Sequence, residues 1–402
     1  MRLLQVFLAF TRAVAAALML AAGVVLGPLL PRQKRTGRPV IAFQVYAEHL
    51  LYFYEFLVRK LLLDDRVDVV LLTWPHPQFP RGTQAKLRAF ATAELGLDPE
   101  RVVPFWRACW WRFDLMISND ALTLPHPRRP RTCQMFHGPI ISTRFFRRGL
   151  VRQTVFDTDL AFPFGPYCRD QILAGSSGRS KPVRVHTVGS PRFDKYFHPG
   201  RTKGEYLRTL GLSDSRPVVV YAPHWSELNL PGDAGVDLFR GAVGELAKLT
   251  VQIIVKLHAM SMVPGAAGGR NWDDLLRAAE SSRVRVDRGM EDVDALLAAD
   301  VLVTEVSSRA FNFMLLDKPV VLYPRAHPPA GSLAQTTYDM LCRGAVVAES
   351  LPELGERVQE ALANPLSLSD QRRRIAEALF ANPGHATDSA TQILYSELGL
   401  LP

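Results

Sequence analysis

Cysteine is scarce in this chain, and what there is lies far apart. The four cysteines among 402 residues, Cys109, Cys133, Cys168 and Cys342, form no Cys-x-x-Cys pair. That excludes the usual spacing of a structural zinc site and points to reduced thiols in a cytosolic setting. No stretch repeats at a solenoid period, and no long low-complexity segment is present. Acidic residues are in deficit too: 39 Asp and Glu stand against 48 Lys and Arg, a net charge of +9. This basic balance, with a pI near 9.5, suits an anionic membrane surface or a phosphorylated ligand. Without zinc-finger spacing, nucleic acid is not an expected partner. Neither a metal nor a cofactor is expected. What the chain does have is core material: 48% hydrophobic residues, and length for about two to three domains at roughly 150 residues each.

One long apolar run stands out. Ala13–Leu30 carries no charge, and Arg32, Lys34, Arg35 and Arg38 follow it. About 18–20 apolar residues match a bilayer-spanning helix, so residues 1–38 read as a membrane anchor with a basic flank. Two other readings stay open. Arg12 interrupts the apolar stretch that begins at Leu3, as in a helix lying in the interface. A cleaved signal peptide is the other, although its apolar core is usually shorter. Basic residues after the run outnumber those before it. By the positive-inside rule the body of the protein then lies on the cytoplasmic face of the inner (plasma) membrane.

From Pro39 onward, short apolar runs alternate with helical periods. Residues 39–46, 67–74, 114–118, 131–136, 158–164 and 183–189 read as strands, and 217–223, 251–258, 284–287, 300–305 and 319–324 as a second series. Residues 47–65 read as one helix; Asp237–Leu249, Asn271–Ser281 and Val306–Leu316 read as helices of the second half. Continuous apolar strands between helices imply parallel sheets covered on both faces. The expected fold is α/β, with Rossmann-like domains over residues 39–190 and 191–402 facing a cleft, joined through the turn-rich stretch 189–216.

Ligands of open parallel sheets bind beyond the C-terminal ends of the strands. His137-Gly138 follows one strand, Pro223-His224-Trp225 another, and His258 ends a third. In VTEVSSRAFNFMLLDKPVVLYP, Val303 to Pro324, an apolar strand gives way to a helix, with Glu305, Ser307 and Ser308 at the junction. Free backbone N–H groups and the positive end of the helix dipole favour a phosphate there. Simple N-capping by serine is the competing explanation.

The same stretch resembles a hallmark of the CDP-glycerol glycerophosphotransferases, the teichoic-acid primase and polymerase family. Thr304-Glu305-Val306-Ser307-Ser308, then Phe311-Asn312-Phe313, then Lys318-Pro319 stand where that family has Thr-Asp-Tyr-Ser-Ser, Phe-Asp-Phe and Lys-Pro. In the same order, His137-Gly138 resembles its His-Gly motif, and 188–194 (VGSPRFD) its Gly-x-Pro-Arg-x-Asp segment. Residues 219–225 (VVYAPHW) resemble its Tyr-Ala-Pro-Thr-Trp stretch, Lys256-Leu257-His258 its Lys-Leu-His-Pro stretch, and 382–394 its closing helix. The resemblance spans roughly residues 130 to 395. This chain departs from the pattern at Pro139, Ser226, Ala259, Glu305 and Asn312, and Arg144, Arg147 and Arg148 stand near a lysine it lacks.

The resemblance implies a GT-B-like architecture: an acceptor domain over 39–190, and a nucleotide-donor domain with closing helices over 191–402. It implies transfer of glycerol phosphate, or a related alditol phosphate, from a CDP-linked donor to a hydroxyl of a lipid-linked acceptor at the membrane surface. His137 is the expected base, since neutral imidazole accepts a proton near pH 7. His258 is expected on the diphosphate side. Ser307, Ser308, Glu305, Gly138 and Arg192 are expected to bind donor phosphate or nucleotide, with Lys256 and Arg309 as weaker candidates. A GT-B glycosyltransferase or a nucleotide-sugar epimerase is one alternative, and a non-catalytic scaffold of a surface-polymer assembly is another.

Overall fold

The structure, a computed structural model, describes Gln33 and residues 36–400 apart from 75–82, 121–125, 127, 142, 147–154, 177–181, 229–232, 263–269, 290 and 324–330, together with Leu18, Ala21, Ala22 and Val25. The expected anchor Ala13–Leu30 therefore lies almost wholly outside the described residues, as does the glycine-rich stretch 265–269. Among the described residues no helix is long and apolar enough to cross a membrane.

The chain divides into two compact units, residues 1–194 with 381–402, and residues 195–380. The first holds a parallel sheet of β1 (Val40–Val45), β2 (Asp68–Thr73), β3 (Val102–Pro104), β4 (Leu115–Ser118), β5 (Arg131–Met135), β6 (Leu160–Phe162) and β7 (Arg184–Val185). Their order is β3-β2-β1-β4-β5-β6-β7. The second holds β8 (Val218–Tyr221), β9 (Gln252–Val255), β10 (Val284–Val286), β11 (Val301–Thr304), β12 (Val320–Leu322) and β13 (Ala345–Val347), in the order β10-β9-β8-β11-β12-β13. Each sheet thus repeats the doubly wound 3-2-1-4-5-6 order, whose direction reverses between the first and fourth strands. Central strands such as β1, β8 and β11 are buried along their whole length, as continuous Val, Ile and Leu runs covered on both faces require.

The sequence pattern missed β3 and β13, three-residue edge strands too short to show a period. Residues 47–65 form Glu48–Leu51 and α1 (Glu55–Leu62) rather than one helix. The break falls on Tyr52-Phe53-Tyr54, aromatic residues of modest helix propensity. There the Tyr54 hydroxyl donates to the Gln44 carbonyl at 3.3 Å and its ring meets Phe43 edge-on at 5.0 Å. The stretch 189–216, expected as turns, contains the helix Lys203–Thr209, opened by a capping box between Thr202 and Glu205.

The closing helices do not all stay with residues 191–380. α2 (Ser369–Leu379) belongs to the second unit, but α3 (Ala386–Leu398) returns to the first, where Ala390 and Leu394 join the core beneath α1. Two sequence motifs make this return. Asp194 accepts the backbone N–H groups of Ala386 at 3.0 Å and Thr387 at 2.8 Å, capping α3 from a distance. Gly189 adopts φ +87°, and a Cβ there would collide with the Ala381 carbonyl. Arg131 and Arg184 then pair with Glu397 at the far end of the helix.

Gly189→Ala should therefore be strongly destabilising, by about 2 kcal/mol or more, because it meets both a left-handed backbone and a backbone clash. Chemical denaturation against the parent chain reads this directly; an unchanged midpoint would show that the 188–194 turn does not hold α3.

Candidate functional site

In the first unit, the residues beyond the C-terminal strand ends cluster around the reversal of strand order. Tyr46 follows β1, Asn119 and Asp120 follow β4, and His137 follows β5. Tyr46 donates its hydroxyl to Asp120 at 2.9 Å, bridging the reversal. His137 Nδ1 lies 2.7 Å from the Asn119 carbonyl and 3.7 Å from the buried Asp120 carboxylate. A carbonyl only accepts, so Nδ1 carries the ring proton of the neutral imidazole and Nε2 its lone pair. The His137 ring packs against Phe53 and Phe145 at 6.1 and 5.8 Å. Arg192 belongs to this unit, not to the donor unit as expected, and its guanidinium lies 4.7 Å from the Phe53 ring centroid. Gly138 has no close neighbour: a Cβ there would meet the Ile140 carbonyl only at 4.0 Å. The side chain of Arg144, and all of Arg147 and Arg148, lie outside the described residues.

The second unit repeats the device. His224 follows β8, His258 follows β9, and Glu305, Ser307 and Ser308 follow β11. The His224 backbone N–H donates to the Glu305 carboxylate at 2.6 Å, again across the reversal of strand order. Glu305 is 2% exposed, so this charge-assisted bond forms where water competes little. The His224 and His258 rings lie 6.4 Å apart. His258 Nδ1 accepts the Met260 backbone N–H at 3.1 Å. Its ring proton in the neutral form is consequently on Nε2, the opposite tautomer to His137. Burial, with the Arg309 charge adding to it, pushes the His224 pKa down to about 4.

Ser307 is the N-cap of the helix Ser308–Met314; its Oγ accepts the Arg309 N–H at 3.1 Å. It is buried, whereas Ser308, the first helical residue, is exposed. The two serines are thus divided between the two readings the sequence allowed. Arg309 is not an exposed, solvated arginine: it is 8% exposed, pairs with Asp292 at 2.7 Å and donates to the Lys256 carbonyl at 3.2 Å. Lys256 is buried, held by Asp287 at 3.1 Å and by the Gly289 carbonyl, and burial lowers its pKa. Both cations serve the floor beneath His258 and Ser307. Two Asp-x-Asp triplets, 157–159 and 292–294, are tied up likewise: Asp159 accepts the Thr132 N–H and Asp292 holds Arg309.

Sequence reasoning put His224 at a strand end without assigning it a role, and passed over Asp120 and Asn119. The signal for all three was their position just after a strand of the pair flanking the reversal.

Two outcomes follow. An unfolded histidine titrates near 6.5 and folded His224 near 4, so between these pH values the unfolded state binds the extra proton. Stability contributed by neutral His224 is present above about pH 6.5 and is lost as pH falls toward 4, by up to about 3 kcal/mol. His224→Gln should flatten this acid limb in denaturation curves taken at pH 7 and 5; an unaltered limb would remove His224 as its source. Ser307→Ala should cost about 1 kcal/mol of stability through the lost cap. Ser308→Ala should leave stability within roughly 0.5 kcal/mol, as for an exposed surface site. Thermal unfolding of the two single variants separates the capping serine from the exposed one.

Comparison with known proteins bears on the fold and on part of the chain. A family model described as CDP-Glycerol:Poly(glycerophosphate) glycerophosphotransferase matches residues 175–327. No curated protein matches the sequence. Among solved structures, the wall teichoic acid polymerase TagF superposes with a TM-score of 0.61 at 13% identity, covering 98% of this chain and 97% of that one. A TagF variant soaked with CDPG does so with a TM-score of 0.58 at 12% identity, covering 99% and 98%. A UDP-N-acetylglucosamine 2-epimerase gives 0.55 at 12% identity, covering 89% and 96%. These likenesses establish a shared fold, and the region matched by the family model contains His258, Glu305 and both serines.

Proposed function

We propose that the chain transfers glycerol phosphate, or a related alditol phosphate, from a CDP-linked donor to a hydroxyl of a lipid-linked acceptor in the synthesis of a cell-surface polymer. The observation that carries the reading is the fixed, opposite tautomers of His137 and His258. In this transfer the acceptor oxygen forms a new bond to the phosphorus that bears the glycerol. The bond from that phosphorus to the bridging oxygen breaks, and CMP leaves with the oxygen. The acceptor proton goes to His137 Nε2, whose lone pair is kept available because Nδ1–H is held by Asn119 and Asp120. His258 Nε2–H donates to the diphosphate and steadies the charge that builds on the departing phosphate. The exposed Ser308, at the start of the helix Ser308–Met314, adds a donor to the same phosphates.

The GT-B-like assignment and the membrane setting belong to this proposal. A soluble CDP-linked donor and an acceptor embedded in the inner leaflet meet most often if the enzyme is held at the cytoplasmic face of the plasma membrane. Residues 1–38 are the segment suited to hold it. The epimerase reading draws on the fold likeness to a UDP-N-acetylglucosamine 2-epimerase, but the matched family region favours the transferase.

The test is a panel of CDP-alditols and UDP-sugars incubated with the full chain and lipid-linked acceptors, scored for CMP release and for epimerised sugar. CMP release that requires acceptor is the expected result. His137→Ala should lower turnover by about 10²–10⁴-fold while donor affinity changes little. Epimerised UDP-sugar without CMP would select the epimerase, and absence of both nucleotide binding and turnover would select the scaffold.

A further inference from the structure

The first unit exposes two tryptophans that the donor and acceptor chemistry does not use. The crossover from β3 to β4, residues 105–114, reads FWRACWWRFD. Its inward residues Phe105, Ala108, Cys109 and Phe113 are buried in the unit's core. Its outward residues Trp106 and Trp110 are 39% and 41% exposed. The Arg128 guanidinium lies 5.3 Å from the Trp110 ring centroid, and Arg112 and Arg129 are exposed as well. Acidic counterparts are few along this stretch: Asp114 accepts the Val40 N–H at 2.8 Å, and Asp120 is buried at the site.

This surface is also tied to the start of the chain. The Gln33 side chain donates to the Arg112 carbonyl at 3.1 Å and accepts the Arg112 N–H at 2.8 Å. Three residues before Gln33 the uncharged run 13–30 ends, and Arg32, Lys34 and Arg35 flank Gln33 itself. Indole rings combine a large apolar face with one N–H donor, which suits the headgroup level of a bilayer. Arginines beside them match anionic lipid phosphates. A nucleic acid would also attract the arginines, but it gives no reason for an uncharged 18-residue-scale run to end beside them.

We infer that the outer side of this crossover is an interfacial contact with an anionic lipid bilayer. Trp106 and Trp110 enter the headgroup region, and Arg112, Arg128 and Arg129 engage lipid phosphates. This inference rests on the membrane setting proposed above and adds a second contact to it.

The experiment is quenching of tryptophan emission by lipids brominated near the headgroup end of their chains, with the full-length protein reconstituted into phosphatidylglycerol-containing vesicles. Flotation of the vesicles reports binding of the whole chain separately. Quenching is expected in these vesicles, and Trp106→Phe with Trp110→Phe should remove at least half of it while flotation persists. Arg128→Glu with Arg129→Glu should reduce quenching at least twofold, and neutral phosphatidylcholine vesicles should do the same to the parent protein. Flotation with undiminished quenching in the tryptophan variant overturns this contact but leaves the membrane setting standing. Failure to float overturns both. Tryptophan changes driven by single-stranded RNA, with none driven by vesicles, assign the patch to a soluble polyanion and overturn it too.

Discussion

A carboxylate at the point where each sheet reverses its strand order is the constraint on which the site depends. Asp120 sits two residues past β4 and receives the hydroxyl of Tyr46 from the end of β1. Glu305 sits one residue past β11 and receives the backbone N–H of His224 from the end of β8. The first and fourth strands diverge on either side of these points, because the connections leaving them pass to opposite faces of the sheet. A short polar bridge across the gap sets the spacing of the two strand ends. Each bridge has a histidine beside it, His137 in one unit and His224 with His258 in the other, so strand-end spacing becomes imidazole placement. A buried carboxylate left without such donors would be costly, and the fold supplies them from the neighbouring strand rather than from water.

The parallel α/β character, most strand positions and the position of His137, His258, Glu305, Ser307 and Ser308 at strand ends were legible in the sequence. Long buried parallel strands write themselves as unbroken Val, Ile and Leu runs, as β8, β9 and β11 do. Two three-residue edge strands, β3 and β13, went unseen. The destination of the C-terminal helix was also hidden, although both halves of its clasp were recognised as motifs. VGSPRFD and the 382–394 segment are nearly two hundred residues apart, and nothing local indicates that Asp194 caps the helix that begins at Ala386. Residues that belong to a family motif, Asp194 and Gly189 among them, can be the fastening of one segment to another.

Roles were harder to read than positions. Which nitrogen of an imidazole carries the proton depends on a single backbone neighbour: the Asn119 carbonyl for His137, the Met260 N–H for His258. No residue type encodes that choice, because any residue supplies both groups. Arg309 and Lys256 are a second case. As cations near a presumed phosphate they invite assignment as ligands, but their charges are directed into Asp292 and Asp287 beneath the site. A buried ion pair of this kind adds little net stability compared with apolar packing. What it does here is fix direction: the Arg309 guanidinium holds the Lys256 carbonyl, two residues before His258, to the helix that follows Ser307.

The departures from the family pattern take on a different meaning once placed. Glu305 stands where the resemblance has aspartate, and His224 where it has threonine; in this fold these two positions touch, at 2.6 Å from amide to carboxylate. A carboxylate one methylene longer reaches the strand end opposite, and the larger neutral ring at 224 fills the space toward His258. The amide at 224 is a backbone group that any non-proline residue supplies, so only the change at 305 acts on this contact. Asn312 differs: its Oδ1 is buried and finds no partner among the described residues. A neutral amide there leaves no unpaired charge, where an ionised aspartate would need a cation, and the nearest guanidinium on the same helix, Arg309, is already committed to Asp292. Loss of the negative charge at 312 and commitment of Arg309 to Asp292 are thus mutually consistent, and Glu305 and Ser308 keep their places just past β11.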